Sequence, residues 1–200
     1  MKRIGLTGGI ASGKSWVASQ LRELDFRVLD ADLAGHRLIE PGAAAYDEVL
    51  REFGKEILGE GNSVDRKKLG TIVFADPKKL AKLNAILHPR IEEVMNAQFE
   101  KWRAEGIVDP VFVEAALLIE AGMHRRLDGL VVVWCRPEDQ IERLRARGLS
   151  EEEARRRIAL QMPNEEKLEF ATYRIDTSGT MQYTQEQVAA LARSLRGAER

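Results

Sequence analysis

The feature that most constrains this chain lies within its first fifteen residues. Lys2 to Thr7 (KRIGLT) is a short, mostly apolar run, and Gly8-Gly9-Ile10-Ala11-Ser12-Gly13-Lys14-Ser15 follows, matching G-x-x-x-x-G-K-[ST]. Val17, Leu21 and Leu24 then recur at helical spacing. A strand, a glycine-rich turn and a helix start in immediate succession are what a phosphate-binding loop needs. The glycines let backbone N–H groups turn inward around an anion, and the helix start adds its own free N–H groups and positive dipole end. Gly8, Gly9, Ala11, Ser12, Gly13, Lys14, Ser15 and Trp16 are therefore the candidate nucleotide contacts, with Lys14 reaching the β- and γ-phosphates and the Ser15 hydroxyl ligating Mg²⁺. The motif specifies a nucleoside triphosphate and leaves the phosphoryl acceptor open.

The rest of the chain reads as a parallel sheet covered by helices, an α/β architecture. Residues 2–7, 26–29, 111–113, 130–134 and 173–175 are the expected strands. A long, mainly helical stretch, 32–105, separates the second from the third. Asp76-Pro77 opens a helix there, with Leu80, Leu83 and Leu87 on one face, and Pro89 is expected to kink or break it. Ser150 and Glu153 read as a capping box for a helix running to about Gln161, and Thr184 with Gln187 as another for the last helix.

With 44% apolar and 32% charged residues, the chain can build a sizeable core and disorder is not expected. A net charge of −1 gives no global pull toward nucleic acid or membrane, and no apolar run reaches the length of a membrane span. Trp16, Trp102 and Trp134 form no aromatic strip for stacking bases. The single cysteine, Cys135, lies in an apolar run and reads as a buried, inert thiol. With no signal peptide ahead of the first strand, the expected location is cytoplasmic.

Three groups of residues stand where the chemistry belongs. Asp30 and Asp32 follow the second strand, where a carboxylate faces the transferring phosphate and serves as general base, or caps the next helix. Glu114 ends the third strand, where it either holds Mg²⁺ or forms an ion pair, with Glu120 a weaker second. Arg143 and Arg147 share a face of a helix after the fourth strand, and Gly148 joins it to the next helix, a pattern suited to a closing lid. The remaining arginines alternate with glutamates and read as a solvated face. His36, His88 and His124 have no partner pattern for zinc.

Taken together these residues resemble the dephospho-coenzyme A kinase family over nearly the whole chain. Leu6 to Ser15 corresponds to the family's LTGGIGSGKS. Asp30-Ala31-Asp32, Glu40-Pro41-Gly42, Phe53-Gly54, Asp65-Arg66, Leu69, Val73-Phe74, His88-Pro89, Leu117-Leu118-Ile119-Glu120 and Gln140 with Arg143-Leu144 and Arg147 follow in order. The resemblance implies a three-layer P-loop NTPase fold with a five-stranded parallel sheet, a helical acceptor-binding insertion at about 32–105 and a lid at about 140–165, in one kinase domain. It implies transfer of the ATP γ-phosphoryl group to the 3′-hydroxyl of dephospho-coenzyme A. Asp32 is then the general base, Lys14 and Arg143 the catalytic cations, Arg147 a nucleotide contact, His88 and Leu117 acceptor contacts, and Ser15 and Glu114 the Mg²⁺ ligands. The chain departs from the family pattern at Trp16, usually threonine, and at Glu114 and Ala116, usually aspartate and proline. Thr172 and Thr177 also depart, in pairs that flank the adenine pocket. Another small nucleoside or nucleotide kinase, or a nucleotide-dependent switch, are the other functions considered; no loop suited to sensing a γ-phosphate in a switch is evident.

Overall fold

The computed structural model describes residues 1–197. The chain divides into two compact units: Met1–Asp30 with Ile107–Arg200, and Ala31–Gly106.

The first unit carries a five-stranded parallel sheet in the order β2-β3-β1-β4-β5. Its strands are β1 (Arg3–Gly8), β2 (Val28–Asp30), β3 (Val111–Glu114), β4 (Gly129–Trp134) and β5 (Tyr173–Asp176). β1 is the central strand, so whatever follows it leaves the middle of the sheet at the carboxyl edge, where ligands of open α/β sheets bind. Alternation of period two sends Ile4, Leu6, Phe112, Val131 and Val133 to one face. There they pack with Val17, Ala18 and Leu21 of α1 (Lys14–Glu23) and with Val188, Leu191 and Leu195 of a C-terminal helix, Met181–Gly197.

α1 ends in a Schellman closure. Phe26 N–H bonds Leu21 O at 3.0 Å and Asp25 N–H bonds Arg22 O at 3.0 Å, with Asp25 in the left-handed region. Because Phe26 is spent on closing the helix, β2 starts at Val28, two residues later than the apolar run predicts. The last helix also differs from expectation: it starts at Met181, where the Thr180 hydroxyl accepts from Tyr183 N–H, so Thr184 and Gln187 form no capping box. Gln187 instead bonds the Asp176 backbone twice, at 2.9 and 2.7 Å, and anchors the helix to β5.

The second unit is helical: α2 (Ala31–Arg37), α3 (Tyr46–Phe53), α4 (Arg66–Ala75) and the 28-residue α5 (Pro77–Ala104). Its core gathers Val49, Phe53, Ile57, Leu69, Val73, Leu83 and Ile86. Asp65 caps α4, accepting from Lys67 and Lys68 N–H, and Asp76 caps α5, accepting from Lys78 N–H. Of the kink or break expected at Pro89, the break does not occur: α5 runs as one helix through it. The proline removes the N–H that would serve the carbonyl of the exposed Ala85, and beside it the Arg90 guanidinium bonds Ile86 O at 2.6 Å and Glu48 at 2.6 Å.

In the first unit, after β4 come α6 (Pro137–Ala146), α7 (Glu151–Ile158) and α8 (Asn164–Glu169); the Met181–Gly197 helix is α9. No helix among the described residues is long and apolar enough to cross a membrane.

Candidate active site

The loop between β1 and α1 is built by close approach. Gly8 is in register with Val133, and a Cβ on it would lie 2.2 Å from Val133 O and 2.6 Å from Ser12 Oγ. Gly13 has φ of 88°, a left-handed conformation that lets the chain turn directly into α1. Ala11 also lies in the left-handed region, at φ 59°, although it is not glycine. Trp16 N–H is used on Gly13 O at 3.0 Å, and the N–H groups of Lys14 and Ser15, the first two residues of α1, have no acceptor within the helix and face outward as donors. Ser12 Oγ is buried and has no hydrogen-bond partner among the described residues, as expected of a loop that awaits a ligand rich in oxygen.

Lys14 and Glu114 meet at the carboxyl edge of the sheet. Lys14 Nζ lies 2.9 Å from Glu114 Oε1, and Arg22 Nη2 from α1 lies 3.3 Å from Oε2. Both sequence readings of Glu114 are physically open in this arrangement. It is an ion-pair partner here, and its carboxylate is also a hard oxygen donor next to the loop. The exposed Ser15 hydroxyl is the other such donor. No cluster of three His, Cys, Asp or Glu able to hold a metal occurs among the described residues. One hydroxyl and one carboxylate suit a cation that takes its other ligands from phosphate and water, which is how Mg²⁺ is usually held.

Behind the loop stands a wall of side chains. Gln140 of α6 donates to Ile10 O at 2.7 Å. Arg143 donates to Ala11 O at 3.1 Å, to the Thr177 hydroxyl at 3.0 Å and to Thr177 O at 2.6 Å. The Thr177 hydroxyl donates to Ser12 O at 2.7 Å. On the loop's amide side, Gln161 accepts from Ile10 N–H at 2.7 Å and Asn164 from Gly9 N–H at 3.3 Å. Ala11 is buried with Leu144 and Ala154, so α6 and α7 place their apolar seam on the loop. Gln161 lies beyond the end of α7, where the sequence reading continued the helix. Lys167, fully buried, bonds Glu120 at 2.7 Å and Ala116 O at 3.1 Å, which ties the turn after β3 to α8 and gives Glu120 a structural partner. Burial holds the Cys135 thiol above its ordinary pKa, consistent with an inert group.

The candidates from the sequence therefore fall in both units. Gly8, Gly9, Ala11, Ser12, Gly13, Lys14, Ser15, Trp16, Glu114, Leu117, Arg143 and Arg147 lie in the first. Trp16 packs against the core, Leu117 is half-buried in the turn after β3, and Arg147 is exposed at the end of α6. Asp32 and His88 lie in the second unit. Asp32 is inside the first turn of α2, directly after Asp30, whose register partner is Glu114. His88 is half-buried in α5, and burial pushes its imidazole below the ordinary histidine range. The expected solvated face is present as exposed Arg155–Glu151 and Arg157–Glu153 pairs. Sequence reasoning missed Arg22, Gln161, Asn164 and Lys167. No spacing marks them, because each is matched to a residue far away in the chain.

A phosphate loop leaving the central strand of this parallel sheet, with its lysine paired to a buried carboxylate at the sheet's edge, defines a P-loop nucleotide-binding protein. A sequence profile of the dephospho-CoA kinase family matches residues 2–183. The dephospho-CoA kinase of Carboxydothermus hydrogenoformans is 44% identical over 189 residues, covering 94% of this chain and 91% of that one. A solved Thermus thermophilus protein superposes with a TM-score of 0.83 at 34% identity over 97% of each chain. A solved dephospho-CoA kinase from Campylobacter jejuni gives 0.70 at 28% over 98% of each. The chain belongs to the dephospho-CoA kinase family, and with it to the kinases that use ATP as a substrate.

Proposed function

We propose that this protein transfers the γ-phosphoryl group of ATP to the ribose 3′-hydroxyl of dephospho-coenzyme A, yielding coenzyme A and ADP. The observation that carries this reading is the family match across residues 2–183, with an intact phosphate loop and Lys14 at its helix start. In this reading the loop and the first turn of α1 bind the donor phosphates. Lys14 exchanges its contact with Glu114 for the β- and γ-phosphates, and Arg22 stays to balance the Glu114 carboxylate. Ser15 and Glu114 are the residues that would hold Mg²⁺, which supplies charge neutralisation on the phosphates when bound. Asp32 accepts the proton of the attacking 3′-hydroxyl as that oxygen bonds phosphorus and the ADP oxygen departs. The helical insertion 32–105, with His88, shapes the acceptor site. Leu117 contributes to it from the turn after β3. The α6–α7 pair serves as the lid, with Arg147 turned to the nucleotide, and excludes competing water.

The test is acceptor-dependent ADP release from Mg²⁺-ATP with dephospho-coenzyme A, AMP, adenosine or no acceptor. Release with dephospho-coenzyme A alone, and coenzyme A as product, is the expected result. Release with a different acceptor replaces the substrate assignment, and ATP binding with no release under any condition overturns the transfer itself. Asp32→Asn is expected to lower kcat by at least ~100-fold, the usual contribution of a general base, with ATP affinity nearly unchanged. Near-normal turnover in that variant would remove Asp32 from the mechanism.

A further inference from the structure

We infer that Gln140, Arg143 and Thr177 are positioning residues for the donor nucleotide: they hold three successive carbonyls of the phosphate loop from behind and so aim the loop's amides at the phosphates. The inference rests on the proposed ATP-binding reading of the same loop and goes beyond it in naming what shapes the loop.

The carbonyls are Ile10 O, held by Gln140 at 2.7 Å, Ala11 O, held by Arg143 at 3.1 Å, and Ser12 O, held by the Thr177 hydroxyl at 2.7 Å. In a trans peptide the C=O and the following N–H point in opposite directions, and the described chain contains no cis peptide. Holding Ile10 O therefore turns the Ala11 amide away from the wall, and holding Ser12 O does the same for Gly13. The Ser12 amide is used within the loop, donating to Gly9 O at 3.1 Å, so the Ala11 carbonyl contact acts differently. It pins the peptide of a residue whose left-handed conformation is unfavourable for alanine. Arg143 suits this task because its planar fork reaches Ala11 O, the Thr177 hydroxyl and Thr177 O at once. Its contacts make it a brace under the loop, a role distinct from the catalytic cation that the family resemblance implies.

Gln140 and Thr177 are almost fully buried, at 4% and 7% exposure, so their bonds are not in competition with solvent. Amides fixed before the anion arrives need no reorganisation when it binds. Loss of one brace should therefore weaken the phosphate contribution to affinity and leave the nucleoside contribution intact.

The experiment is equilibrium binding of ATP and of AMP, without acceptor, to wild type, Thr177→Val, Thr177→Ser and Gln140→Met. Thr177→Val keeps the shape and removes the hydroxyl. The expected result is ATP affinity reduced ~5–10-fold, the value of about one buried hydrogen bond, with AMP affinity within about 2-fold of wild type and recovery in Thr177→Ser. An equal loss for ATP and AMP overturns the inference and makes Thr177 a nucleoside contact, as does no loss for either ligand in both Thr177→Val and Gln140→Met. If Thr177→Val fails to fold, Gln140→Met decides by the same ratio. Failure of the wild type to bind ATP would instead refute the donor reading, which is a separate outcome.

Discussion

At the scale of single residues, the phosphate loop shows how much conformational cost a site tolerates. Ala11 occupies φ 59°, where an L-residue with a Cβ is disfavoured by about 1–2 kcal/mol. Glycine there would remove that cost and add roughly 0.5–1 kcal/mol of unfolded-state entropy. Ala11→Gly also removes a buried methyl packed with Leu144 and Ala154, worth about 0.8 kcal/mol, so the effects nearly cancel and stability is expected to stay within about 0.5 kcal/mol of wild type in denaturant unfolding; a loss of about 2 kcal/mol would show that the left-handed alanine is not strained. Glu114 presents the opposite case, a buried carboxylate shared by Lys14 and Arg22. Glu114→Gln leaves two cations facing an amide and is expected to cost about 2–3 kcal/mol in urea unfolding. Lys14→Ala, by contrast, is expected to reduce ATP affinity and turnover together.

At the scale of elements, α5 is the instructive helix. It contains His88-Pro89 at its middle and stays continuous, and beside the proline Arg90 bonds Ile86 O, Ala44 O and Glu48. Arg90→Ala removes these bonds, and should destabilise the protein by about 1–3 kcal/mol. A cost within ~0.3 kcal/mol in denaturant unfolding would show that they do not contribute to stability. The neighbouring His88 makes a pH-dependent contribution. Its folded pKa lies below the ordinary 6.5 because burial disfavours the imidazolium. As pH falls below about 6.5 the unfolded chain takes up this proton before the folded chain does, so stability declines from there down to the folded pKa and then levels off. Above that window the effect is absent. Comparing unfolding free energies of wild type and His88→Gln between pH 5 and 7.5 should show a steeper acid-side decline in the wild type.

At the scale of the whole molecule, the unit holding the sheet is formed by two stretches of chain with the helical unit inserted between β2 and β3. A ligand that binds only the folded loop stabilises the fold by mass action. ATP at ~100 times its Kd is expected to add about 2.7 kcal/mol, read as a rise in Tm, and Lys14→Ala should lose most of that rise at the same concentration. An unchanged Tm in wild type at saturating ATP would contradict nucleotide binding at the loop.

The sequence alone determined the strand–loop–helix at the start, the alternation that makes a parallel sheet and the long helical stretch between the second and third strands. These rest on local signals, glycine conformation and periodic burial, which act over a few residues. Only the tertiary structure decided that Gln187 anchors β5 and does not cap a helix, or that α5 continues past Pro89. It also decided that Lys14 and Arg22 share Glu114, about a hundred residues away, and that Thr177 and Asn164 hold the loop across separations of 165 and 155 residues. Such pairings are chosen by which strand ends the sheet brings side by side, and spacing along one chain carries no record of that choice.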